Sequence, residues 1–177
     1  MNSLGQLYLE NAIWNFRRLK GLAEQAFAKI DDNAYHSTLD KESNSIGVLI
    51  QHLSGNMLSR WTDIFDSDEE KPDRNRDAEF VLTHDANKEQ LLARWQKGWE
   101  RLLMTLESLT ADDLERQIII NEKDWSVVTS INYHLVHYSQ HVGQILFMAK
   151  HIRSERWSST QSSLDSRPSD PLPRCQT

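Results

Sequence analysis

The chain has 177 residues, 38% of them hydrophobic and 26% charged, with a net charge of −6. That is enough for one domain with a real core, and too polar for a membrane span, since no apolar run approaches the roughly 20 residues that cross a bilayer. The acidic balance disfavours nucleic-acid binding, which needs a basic surface to release counterions from phosphate, and only 6 Gly and 4 Pro argue against an all-β sandwich and its frequent turns.

The first helix is predicted from about Ser3 to Ile30, with Leu4, Tyr8, Ala12, Leu19, Leu22, Ala26 and Ile30 on one stripe. A polar connection, Asp31 to Asn44, follows. Ser43, Asn44 and Ser45 are all competent N-caps for a second helix, whose stripe is Ile46, Leu49, Ile50, Leu53, Met57, Trp61 and Ile64. Gly47 and Gly55 interrupt it at some cost in helix propensity, and close packing against a neighbour would account for them. The stretch DSDEEKPDRNRDAEF, from Asp66 to Phe80, is dense in both signs of charge and reads as a solvated surface crossover.

A third helix is expected from about Asn87 to Leu109, on the spacing of Leu92, Trp95, Trp99, Leu102, Leu106 and Leu109. Ile118, Ile119 and Ile120 predict a short strand or hairpin in the next connection. The cleanest period belongs to the fourth helix, from about Ser126 to Ile152, where Ile131, Leu135, Tyr138, Val142, Ile145, Ala149 and Ile152 step by fours and threes. Beyond Trp157 Ser and Pro dominate, so residues 1–157 are expected to form one all-α bundle and 158–177 a flexible tail. The N-terminus has no basic or apolar leader, and the single Cys175 has no partner for an internal disulfide. A cytoplasmic location is the expectation. The six Trp are expected to fill the core or a dimer interface.

Four of the seven His, namely His134, His137, His141 and His151, fall in the last helix. His137 and His141, spaced i, i+4, lie one turn apart on one face and can reach a common cation. Neutral imidazole suits Zn, Ni, Cu and Fe, but two ligands rarely hold an ion. His52 is the best third candidate, because it sits inside the apolar run VLIQHLSGNM and needs a partner there. The alternative for His52 is a hydrogen bond to a backbone carbonyl. No glycine-rich phosphate loop, GxSxG or CxxC is present.

Three passages together carry a resemblance: SIGVLIQHLSGNMLSRW, the crossover containing EEKPDRNRDAEF, and INYHLVHYSQHVGQILFMAKH. They resemble the DinB-like (YfiT-like) four-helix bundles, the superfamily that includes the bacillithiol transferases, over about Leu4 to Ile152. The resemblance implies an up-down-down-up bundle with long crossovers, and the segments Asp31–Asn44 and Asp66–Asn87 are long enough to serve. It implies a divalent metal, Zn or Ni, on His52, His137 and His141, and a homodimer.

It further implies a metal-dependent thiol S-transferase acting on a small-molecule thiol or electrophile, in detoxification or stress response. No protein group is assigned the catalytic role, which would fall to water or a thiolate on the ion. Asn56, one turn after His52, and His134 are candidate pocket residues; the alternative for Asn56 is ordinary packing. Competing expectations are a non-catalytic metal-binding stress protein and a metal-dependent hydrolase.

Overall fold

The computed structural model describes residues 2–153 except positions 67, 69, 70, 72, 73 and 84. The expected tail, 158–177, lies outside the described residues. Four helices carry the fold: α1 (Leu4–Phe27), α2 (Ile46–Arg60), α3 (Lys88–Ser108) and α4 (Val127–Ile152), with a two-stranded hairpin of β1 (Gln117–Ile120) and β2 (Lys123–Ser126). Each helix begins where a side chain satisfies an orphan backbone N–H. Ser3 accepts from Gln6, Ser45 from Val48, Ser126 from Thr129, and Asn87 forms a reciprocal capping box with Gln90. Among the described residues no helix is long and apolar enough to cross a membrane.

Side-chain contacts fix the helix directions. Near the start of α1, Tyr8 Oη donates to Asn132 Oδ1 near the start of α4 (2.9 Å), and Arg153 beyond the end of α4 pairs with Asp31 beyond the end of α1 (3.6 Å). These two helices are therefore parallel. So are α2 and α3: Arg94 reaches Gln51 at 2.9 Å, and Thr105 Oγ1 donates to the Trp61 carbonyl at 2.7 Å. By contrast α1 and α3 run antiparallel, with Arg17 on Glu107 and Gln96 on Glu24. Opposed too are α2 and α4, where His52 faces His137 and Trp61 faces His134 and Tyr138. The bundle is up-down-down-up.

A parallel α2–α3 pair obliges the chain to travel back along the full length of α2, about 22 Å at 1.5 Å per residue. The crossover between Trp61 and Asn87 does this. It is not simply solvated: Glu79 is 8% exposed, and the Arg74 side chain is 5% exposed. The polar sequence hid this, because charge alone does not distinguish a residue that meets water from one that meets a buried partner.

The two glycines of α2 are explained by that crossover and by the connection before it. A Cβ on Gly47 would stand 2.6 Å from Leu82 Cδ2 and 2.8 Å from the Tyr35 carbonyl oxygen. A Cβ on Gly55 would collide with Glu79 Oε1 and stand 2.8 Å from its Cδ.

The core follows the expected stripes of α2 and α4 closely. Of the stripe expected for the first helix, Ala12, Leu19, Ala26 and Ile30 are buried and Tyr8 and Leu22 half-buried; Leu4 is 84% exposed, and Leu9 and Phe16 join the buried face. Phe16, Trp61, Trp95, Trp99 and Tyr138 form an aromatic layer with neighbouring rings 5.4–6.5 Å apart. The helices also end a little earlier than the apolar spacing suggests, so Ile30 and Ile64 are buried from the connections rather than from α1 and α2. In the hairpin Ile118 and Ile120 point inward and Ile119 outward, as a strand's period of two requires. Its turn residues Asn121 and Glu122 both have left-handed φ (50° and 61°), and their N–H groups donate to the Asp68 carboxylate of the crossover at 3.1 and 2.9 Å.

Candidate metal centre

Antiparallel packing sets His52 of α2 against His137 and His141 of α4. The Nε2 atom of His137 lies 3.3 Å from Nε2 of His52 and 3.1 Å from Nε2 of His141. One ligand nitrogen from each of the three falls within 4.8 Å of the others, and no fourth His, Cys, Asp or Glu among the described residues joins them. Three nitrogens each about 2.0–2.1 Å from a tetrahedral ion stand about 3.3–3.4 Å apart, and the two separations from His137, 3.3 and 3.1 Å, are close to that spacing.

The tautomers are set from behind. His52 Nδ1 lies 2.9 Å from Glu79 Oε2, an acceptor only, so Nδ1–H donates and the Nε2 lone pair faces the cluster. His141 Nδ1–H donates to Gln144 Oε1 at 2.8 Å, and its Nε2 lone pair faces the same point. His137 has a buried Nδ1 without a hydrogen-bond partner among the described residues. If its proton sits there, three lone pairs converge, an arrangement that a cation relieves. The donor set therefore fits a divalent ion, and these three histidines can hold one.

Burial favours the neutral form of His137 and His141, the form that ligation requires. Burial, followed by the neighbouring His141 and His52, pushes His137 down to about 3. Burial lowers His141 as well, against the opposing hydrogen bond to Gln144. Glu79 is lowered on balance: burial pushes it up, but hydrogen bonds from His52 and Arg74 outweigh that. Arg74 grips the carboxylate with two bonds, Nε to Oε1 at 2.8 Å and Nη2 to Oε2 at 3.0 Å.

Asn56 and His134 are not members of the convergent set. Asn56 is buried and its Oδ1 accepts from Tyr138 Oη at 2.8 Å, while Tyr138 in turn accepts from Trp61 Nε1 at 3.1 Å. His134 is 1% exposed. Its Nδ1–H donates to the Ser130 carbonyl at 2.8 Å, and its ring packs edge-on to Trp61. Both belong to the floor beneath the histidines. On the outer side, Phe80 stacks on His52 with centroids 4.7 Å apart, and Tyr133 lies 6.2 Å from His137. Both are partly exposed, at 38% and 55%.

Burial pushes His134 down to about 4 from an ordinary 6.5, opposed by its bond to Ser130 and assisted by the charges of Arg60 and Arg74. The unfolded chain therefore binds this proton between pH 6.5 and 4 while the folded chain does not, so folding stability falls as pH falls through that window. For His134 alone the loss between pH 7 and pH 5 is about 2 kcal/mol at most. Urea unfolding of the chelator-stripped protein at these two pH values checks it. His134→Asn, which keeps a donor toward Ser130, is expected to flatten the fall, and an equal slope in both proteins would refute the assignment.

Glu79 and Arg74 went unnoticed in the sequence. The available signals were Gly55, a helix-interior glycine one turn from His52, and the place of Glu79 and Phe80 at the boundary between the charged run and Val81-Leu82.

The family model described as a protein of unknown function, DUF1572, matches residues 3–163. No curated protein matches the chain significantly.

Proposed function

This chain belongs to the DUF1572 family, and we propose that it is a divalent-metal enzyme of the DinB-like kind, a thiol S-transferase acting on small molecules in detoxification or stress response. The observation that carries the reading is the donor set: three imidazoles and no fourth protein ligand among the described residues. Structural zinc sites close with four protein ligands, whereas catalytic sites use three and leave room for substrate. Imidazole donors favour Zn or Ni over Mg or Ca. A bound ion of this kind supplies Lewis acidity, which lowers the pKa of a thiol or water placed in its open positions.

The chain's own residues do the remaining work. Glu79 and Gln144 hold two imidazoles in the ligating tautomer. The Asn56–Tyr138–Trp61 chain and His134 make a rigid floor that excludes water from below. Phe80 and Tyr133 offer partly exposed aromatic faces to the apolar part of a substrate.

The zinc-loaded protein, incubated with small thiols and a chromogenic electrophile, is expected to accelerate thioether formation over a chelator-stripped control. Rates equal to that control for a panel of carboxylate-bearing and neutral thiols would remove the transferase reading. Hydrolysis of the electrophile without thiol would instead point to a metal-dependent hydrolase.

A further inference from the structure

The turn Arg74–Phe80 is built onto the back of His52 by three residues of α2. Gln51 Nε2 reaches the carbonyls of Ala78, Glu79 and Val81 at 2.9, 3.1 and 3.2 Å, and Arg94 of α3 steadies Gln51 from the other side. Gly55 leaves the slot that the Glu79 carboxylate enters. His52 itself receives Glu79 on Nδ1 and Phe80 on its ring face.

Both oxygens of Glu79 are occupied by Arg74 and His52, so the carboxylate is turned away from the ligand nitrogens. A buried ion pair of this sort returns little net stability, because desolvation costs about as much as the attraction yields. Its effect on His52 is larger. A carboxylate on Nδ1–H fixes ring and tautomer and makes Nε2 a stronger donor.

We propose that Glu79 is a positioning residue of the metal centre, and that docking of the Arg74–Phe80 turn and binding of the ion are reciprocally coupled. The inference rests on the metal reading above and adds the crossover to the site. Whatever factor the docked turn adds to metal affinity, the ion returns to the docking of the turn, since linkage between two binding events is symmetric.

The test uses Zn²⁺ affinity, measured by competition with a chromophoric chelator, on the wild type, Glu79→Gln, Gly55→Ala and the double variant. Glu79→Gln keeps the shape and an acceptor oxygen but removes the charge. Gly55→Ala leaves every charge in place and favours the helix, yet drives the carboxylate from its slot. Each single variant is expected to weaken Zn²⁺ binding by about 10–100-fold. The double variant should be no weaker than Glu79→Gln alone, because both changes remove one interaction.

Zn²⁺ should also slow amide hydrogen exchange at residues 76–81 in the wild type and have little effect there in Glu79→Gln. If both single variants bind Zn²⁺ as tightly as a Zn²⁺-binding wild type, Glu79 is structural and the proposal is wrong while the metal reading stands. A wild type that takes up no Zn²⁺ removes both.

Discussion

His137→Ala is expected to leave the protein without bound metal, whereas the wild type, purified without a polyhistidine tag, carries close to one divalent ion per chain by elemental analysis. His137 is the hinge of the cluster: its Nε2 lies within 3.3 Å of the corresponding atom on each of the other two histidines. Removing it leaves His52 and His141 on different helices with the middle donor gone. Two imidazoles rarely hold an ion without a third ligand, so the loss should exceed the roughly 10–100-fold expected for an outer partner such as Glu79.

Folding should report the same change. An ion that binds only the native state stabilises it by about 4 kcal/mol when present at a thousand times its dissociation constant. Added Zn²⁺ should therefore raise the melting temperature of the wild type and leave that of His137→Ala nearly unmoved. Equal metal content in both proteins would dismantle the proposed centre.

Trp99→Ala is expected to destabilise the fold by about 3–5 kcal/mol, the range for emptying a large buried aromatic site. Trp99 is fully buried in the aromatic layer, with Phe16, Trp95 and Tyr138 rings packed around it at 5.4–6.4 Å. For a domain of this size, each kcal/mol lowers the melting temperature by about 2–4 °C, so a fall of roughly 10 °C is the expected scale. Trp99→Phe should cost much less. It keeps most of the packing, and it removes an indole N–H that finds no acceptor among the described residues. A melting temperature unchanged in Trp99→Ala would mean that the layer is not the keystone of the core.

The three histidines were legible in the sequence for different reasons. His137 and His141 announce themselves by i, i+4 spacing, which on a helix is a statement about geometry. His52 stands out only because the residues around it are apolar, so a polar ring there needs a use. The DinB-like resemblance then joined α2 to α4, a pairing that periodicity alone does not supply.

What could not be read was the inward side of the crossover. Between Asp66 and Phe80 charged residues are so frequent, and so lacking in period, that nothing marks Glu79 as buried and Asp77 as exposed. Only a partner on another element makes that choice, and here the partner is His52. The stripe of α1 was legible through Ala12, Leu19 and Ala26, which are buried, but not at its N-terminal end, where Leu4 meets solvent and Leu9 and Phe16 turn inward instead.

The parallel pairing of α1 with α4 has a consequence for how the molecule is made. Tyr8 finds its hydrogen-bond partner 124 residues later, at Asn132. A nascent chain emerging from the ribosome thus carries its first helix without a parallel companion until nearly the whole bundle has been synthesised. His52 waits as well, since the other two imidazoles follow it by 85 and 89 residues. Loading of the proposed ion would in this sense be a late event of biogenesis, and long-range closure of this kind favours slow folding that leaves apolar faces uncovered in the interim.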